Sequence, residues 1–177
     1  MMCDMKMMDH IVIHSLQVCR VALFLADHLN SQREQLNTDL IRAAALLHDI
    51  TKTRSFDTHE NHALTGGQFL ADCGYPEVGD IVRQHVVMDV YGTGETFKEV
   101  EIINYADKRV LHDEIVTLDK RLDYILERYA QKPEDRVRIH RLWERTKDLE
   151  KAIFSNLSFS SDDLIQHIHP IGYEAEL

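Results

Sequence analysis

Residues 44–52 read Ala44-Ala45-Leu46-Leu47-His48-Asp49-Ile50-Thr51-Lys52, an apolar helical run that ends on an imidazole and a carboxylate side by side. His48 follows Ile41, Ala44 and Ala45 at +7, +4 and +3, so at 3.6 residues per turn it points the same way as the apolar stripe, with Asp49 about 100° further round. An apolar helix closing on a buried His-Asp pair has no evident structural purpose. Burying such groups is costly unless each is hydrogen-bonded or holds a cation.

Working outward, the helical period continues nearly everywhere. It predicts helices over about 10–29, 39–50 (capped by Asn37 or Thr38), 62–73 (stopped by Gly74), 76–87, 97–111, 116–129 and 133–156, with a last short one capped by Ser160 or Ser161. The expectation is an all-α bundle of roughly seven or eight helices in a single domain spanning 1–177. Seven Gly and three Pro in 177 residues leave little room for a turn-rich β-sandwich. Twenty Lys and Arg against thirty Asp and Glu give a net charge of −10, which argues against broad binding to nucleic acid or an anionic membrane. Cys3, Cys19 and Cys73 form no close pair, so neither a disulfide framework nor a thiolate zinc site is expected. No uninterrupted apolar run approaches a membrane span and the N-terminus has no signal-type apolar stretch, so a cytoplasmic chain is the expectation.

The chain carries eleven His, and several interrupt apolar stripes. His14 precedes Val18, Val21 and Leu25 at +4, +7 and +11; His85 extends the stripe of Val78, Ile81 and Val82; Asp107 follows Val100 and Ile103 and precedes Val110. A lone histidine on such a stripe is more often a hydrogen-bonded core residue. Four such interruptions on separate helices favour a shared metal centre. Imidazole and carboxylate donors suit zinc, iron, manganese or nickel, and the two oxygens of Asp49 can bridge two ions.

The ordered motifs HSLQV (14–18), LLHDITK (46–52), HALTGG (62–67), IVRQHV (81–86) and YADKRV (105–110) resemble the HD-domain metal-dependent phosphohydrolases over roughly residues 10–130. The resemblance implies an all-α HD bundle with further helices at 131–177. It implies one ion held by His14, His48, Asp49 and Asp107, with Asp49 bridging to a second held by His62 and His85. This pattern is similar to the bacterial branch that hydrolyses diadenosine tetraphosphate at a di-iron centre. Two ions are therefore expected, iron foremost, with manganese, nickel, zinc or magnesium as alternatives. Some relatives have two consecutive histidines where this chain has His85-Val86. The Gly74-Tyr75-Pro76 string reads as a helix-ending turn and not as the signature of a cyclic-dinucleotide phosphodiesterase.

The activity so implied is cleavage of a nucleotide or other small phosphoester by a metal-activated water. Asp49 and Lys52 are the catalytic candidates; Lys52, Lys108 and Arg109 could meet phosphate oxygens, with solvated surface cations as the alternative, evenly weighed for Lys52 and favoured for Lys108 and Arg109. Lys52 lies four residues beyond His48, on the same face if the helix continues. His59 and Glu60 are outer-layer or proton-carrying candidates, or exposed loop residues. The segment 89–96, with Gly92 and Gly94, is read as a mobile pocket edge. His112, His140, His167 and His169 fall outside the series, the last two near a tail. In the late helix, Ile139, Leu142, Thr146, Leu149 and Ile153 should pack back on the bundle, a homodimer seam being the alternative. A di-iron oxygenase and a non-catalytic regulatory HD module are the competing functions.

Overall fold

In the computed structural model, which describes residues 1–32, 34–92 and 96–168, the core is built where apolar stripes of successive helices meet. Helix α1 (Asp9–Ser31) buries eleven residues, among them His14, Val18, Val21 and Leu25 on the expected stripe, and packs against α2 (Thr38–Leu47) and α6 (Glu99–Lys108). By length and composition α1 could cross a membrane, more than half of its apolar window being buried inside the fold. Its apolar residues are interspersed with polar ones, which is why no uninterrupted run marks it in the sequence.

Helix α2 starts where expected, the Asn37 side chain accepting from the backbone N–H groups of Asp39 and Leu40. It ends earlier than the periodicity suggests. After Leu47 the chain tightens into a turn, with Ile50 N bonding to Leu47 O (3.0 Å) and Lys52 N to Asp49 O (2.9 Å). Helix α3 (Lys52–Thr58) then begins, buries no residue, and stops at His59 in a left-handed conformation (φ 57°). With no apolar stripe, α3 gives no periodic signal.

Helix α4 (His62–Asp72) is capped by the Asn61 side chain, and α5 (Pro76–Arg83) opens on its proline after Gly74 turns the chain at φ 90°. Their backbones touch. A Cβ at Gly79 would lie 2.5 Å from the Gly67 carbonyl oxygen, and one at Gly67 2.6 Å from that of Gly79. Helix α5 also ends short of its expected limit, leaving His85 on the turn that follows.

Beyond α6, in place of the helix expected to run to Leu111, Val110–Leu111 (β1) and Glu114–Ile115 (β2) form a two-stranded antiparallel hairpin. Its corner is His112 at φ 58°. Helices α7 (Leu118–Tyr129) and α8 (Pro133–Ser155) follow, then a 3-10 turn at Ser161–Asp163 and the single-turn α9 (Leu164–His167). The described residues thus form an all-α bundle with eight helices of seven residues or more. The buried stripe of α8 runs through Ile139, Trp143, Thr146, Leu149 and Ile153 and packs against α6 and α7; Trp143 replaces the expected Leu142 and donates from Nε1 to Leu118 O at 2.8 Å.

Candidate metal centre

Three helices and two inter-element turns deliver His14, His48, Asp49, His62, His85 and Asp107 to one place between α1, α2, α4, α5 and α6. His14, His48 and Asp49 offer donor atoms that all lie within 4.8 Å of one another, and so do Asp49, His62 and His85. Asp49 belongs to both groups. Its Oδ2 lies 3.4 Å from His48 Nε2, and its Oδ1 3.2 Å from His62 Nε2 and 3.6 Å from His85 Nε2. Asp107 Oδ1 adjoins the first group, 3.1 Å from His14 Nε2 and 3.7 Å from His48 Nε2.

Three of the imidazoles are held by backbone carbonyls. Nδ1 of His14 donates to His112 O (2.9 Å), Nδ1 of His48 to Ala45 O (2.8 Å) and Nδ1 of His85 to Val82 O (2.7 Å). In the neutral ring this leaves the Nε2 lone pair facing inward, the arrangement a metal-binding imidazole needs. His48 Nε2 and Asp49 Oδ1 are buried without a hydrogen-bond partner, their short contacts being charge contacts without hydrogen-bond geometry. Orphaned donor atoms at the middle of a buried His/Asp set fit a cation, since leaving them bare costs the full desolvation of both groups.

The field of the site is set by burial against charge. Burial alone would raise the carboxyl of Asp49, yet His48 and Lys52 beside it hold it well below the ordinary carboxylate range. Burial would likewise raise Asp107, but His14, His48 and Arg121 hold it down. Burial would lower His48, but Asp49 and Asp107 reverse this and raise it. His85 is pushed down to about 4, chiefly by burial.

Lys52 opens α3 and places Nζ 2.7 Å from Asp49 Oδ2 with its side chain still partly exposed, so it reaches the centre through the turn at 48–51 and not by continuation of α2. The expectation for its two cationic fellows is corrected. Lys108 and Arg109 are neither phosphate contacts nor surface cations, but 4% and 1% exposed and fully engaged in the fold. Lys108 Nζ donates to Asn104 Oδ1 (2.8 Å) and to the carbonyls of Asn104, His85 and Val86; burial brings its ammonium down to about 8. Arg109 donates to Val116 O (2.7 Å), Ser161 O (2.9 Å), Glu150 Oε2 (3.1 Å) and the Tyr105 hydroxyl.

Two supporting residues escaped the sequence reading. Asn104, fully buried, donates from Nδ2 to His85 O (2.8 Å) and Gln84 O (3.3 Å), fixing the turn that carries His85. Thr51 Oγ1 donates to His62 O (2.8 Å) and meets Thr65 Oγ1 at 3.0 Å, fixing the start of α4. Asn104 lies three residues before Asp107 on the inner face of α6, the same polar interruption that marks His14. Glu60 pairs with Arg54 (2.6 Å) and accepts from Thr65 (3.2 Å), whereas His59 is exposed at the end of α3. His167 packs against Phe24 and Phe159 and not against the ligand set; His169 lies outside the described residues. Residues 89–92 and 96 line a separate cavity of about 690 Å³ with Arg145 and Leu149, which none of the six donors borders. The remainder of that segment, including Gly94, is outside the described residues.

A 75-residue stretch is 35% identical to Ribonuclease Y of Rubrobacter xylanophilus, covering 42% of this chain and 13% of that protein. The chain therefore spans only a small part of the relative's length. No solved structure matches. The HD domain family is matched over residues 11–110, a span that holds all six donors and Lys52, and the chain belongs to that family.

Proposed function

We propose that the chain hydrolyses a small phosphorylated substrate, foremost a nucleotide, at a centre of two cations. Membership of the HD family implies metal-dependent phosphohydrolase activity in general. The observation that carries the finer reading is the sharing of Asp49 between two donor groups, with Asp49 Oδ1 and His48 Nε2 left unpartnered. In this reading His14, His48, Asp49 and Asp107 hold one ion and Asp49, His62 and His85 the other, iron being favoured by the resemblance to di-iron relatives. Such a pair, when bound, supplies an activated water and clamps the attacking and leaving oxygens of phosphoryl transfer.

The chain's own groups do the rest. The carbonyls of Ala45, Val82 and His112 fix three imidazole tautomers, so that no proton stands between ring and cation. Burial would lower the Lys52 ammonium, but Asp49 and Asp107 raise it, so it stays charged and can meet the phosphoryl oxygens. Ribonuclease Y is by its name an enzyme of RNA; the net charge of −10 favours a small substrate held locally over a polynucleotide held along a basic groove.

The test is metal analysis of the purified protein followed by phosphate release from a panel of nucleotides and dinucleotides. Asp49→Ala should lose bound metal and fall to background release. Undiminished hydrolysis in that variant overturns the assignment, and oxygen uptake without phosphate release from any substrate points to the oxygenase chemistry instead.

A further inference from the structure

The cavity of about 690 Å³ lies away from the metal centre, between residues 89–92 and 96–97, the start of α6 and one stripe of α8. Its volume is that of a small-molecule site, and Phe97 and Leu149 give it an apolar wall. Among the described residues its charged lining is lopsided, with Glu34, Asp89, Glu101 and Asp148 against Arg145. Two of the carboxylates are answered by cations that do not line the cavity. Arg83 meets both oxygens of Asp89, at 3.0 and 2.5 Å, and Lys151 meets Asp148 at 3.1 Å. Arg145 lies over the Tyr91 ring, 5.1 Å from its centroid. Glu34 and Glu101 are left with no ion-pair partner among the described residues.

Consecutive amides fix these two carboxylates. Phe97 N donates to Glu34 Oε2 at 3.1 Å, and Lys98 N donates to Glu101 Oε2 at 2.9 Å. Each keeps its other oxygen without a donor among the described residues. Glu101 is only 5% exposed and still borders the cavity. A Cβ on Gly92 would stand 2.9 Å from Glu101 Oε1, so the glycine is what leaves that oxygen uncovered. A carboxylate withdrawn from water with one oxygen open is matched by a charged donor. Aromatic faces next to an excess of carboxylates select a cation over an anion. The phosphorylated substrate proposed for the metal centre would be repelled here, so the cavity is no extension of that centre.

We propose that this cavity is a second binding site, for an organic cation: a primary ammonium or guanidinium carried on an apolar body. The charged head lies between Glu34 and Glu101, and the body lies against Phe97 and Leu149. The site is independent of the phosphohydrolase reading.

The test is calorimetric titration of the full chain, loaded with the metal it purifies with, by 2-phenylethylamine and by 2-phenylethanol. The two probes share a body and differ in the ammonium. Salt at about 0.15 M screens the net charge of −10 over the rest of the surface. The wild type should bind the amine at one site, about tenfold or more tighter than the alcohol, the advantage of a charge-assisted contact. Glu101→Gln keeps an oxygen for Lys98 N, so the unfolding midpoint should hold while the amine binds about tenfold more weakly. Gly92→Ala leaves the net charge unchanged and covers Glu101 Oε1, so it should weaken the amine to a similar degree. Glu77→Gln removes the same charge at an exposed position of α5 that borders neither cavity nor centre, and should leave the amine affinity as it is. Equal affinity for the two probes, or binding of neither, overturns the site. So does a loss in Glu77→Gln as large as that in Glu101→Gln, or undiminished amine binding in Gly92→Ala. Binding is read without turnover, so these outcomes are separate from any failure of phosphate release.

Discussion

Two buried polar clusters meet at the C-terminal end of α6, and residues two apart in the chain feed them. Asp107 turns toward His14 and His48; Arg109 turns toward Tyr105, Glu150 and the carbonyls of Val116 and Ser161. In the Arg109 cluster the guanidinium has a partner in every direction it points, and the cluster ties α6 to α8 and to the segment before α9. In the Asp107 cluster the donors converge, and His48 Nε2 and Asp49 Oδ1 are left without partners. Both clusters are buried; only one is satisfied. A satisfied buried charge is a fastening, while a convergent unsatisfied set is a place for something to bind.

The comparison breaks most visibly at Arg109. Arg109→Met should destabilise the fold by about 3–5 kcal/mol in urea unfolding, because it leaves the Val116 and Ser161 carbonyls without that donor and Glu150 with only the Tyr105 hydroxyl. Metal bound per folded molecule should stay at the wild-type level. A variant that keeps its stability but loses metal would reverse the roles assigned to the two clusters.

The two clusters also differ in how well they can be read from sequence. His14, His48, His85 and Asp107 interrupt apolar stripes, and a stripe is a local pattern, so their inward direction is legible without any knowledge of neighbours. The fold class follows from the same periodicity. Arg109 is different: its partners Glu150 and Ser161 are 41 and 52 residues away, and no local pattern distinguishes it from a solvated cation. The same holds for Lys108, whose acceptors outside its own helix lie on the turn after α5. Helix α3 has no buried residue and the hairpin at 110–115 is only two residues per strand, so neither produces a period to detect. Asn104 is legible by the stripe rule, but an asparagine is not a usual donor to these metals, so its interruption points to no ligand.

Asn104 supports the convergent cluster from outside and offers a finer test. It accepts from Lys108 and donates to the carbonyls of Gln84 and His85, so it positions a proposed ligand without touching the proposed ions. Asn104→Leu should weaken metal binding by about ten- to a hundredfold, the usual cost of removing a group that orients a ligand. Titration with manganese, followed by calorimetry, reads this directly. An unchanged affinity would mean that the His85 turn holds its shape without the Asn104 bonds.

The smallest effect concerns the proton that competes with a cation at His48. Burial disfavours the charged ring, but Asp49 and Asp107 outweigh it, so the folded pKa stands above the ordinary value of about 6.5. In the metal-free protein, protonated His48 therefore contributes stability that is fully present below the unfolded pKa and is lost as pH rises through the raised folded value. A metal needs the same nitrogen unprotonated, so its affinity increases over that interval, by at most about tenfold per pH unit for one displaced proton. The carboxyls of Asp49 and Asp107, held well below the ordinary range, are ionised throughout, and His85, at about 4, is already neutral. Lys108, at about 8, gives up its proton chiefly above this interval. The gap between the melting temperatures of the manganese-loaded and metal-free protein should accordingly widen from about pH 6 to about pH 7.5. His48→Gln removes a proposed ligand together with the competing proton, so it should shrink the gap across the whole interval; a wild-type gap that is constant across the range would show that no proton competes with the cation there.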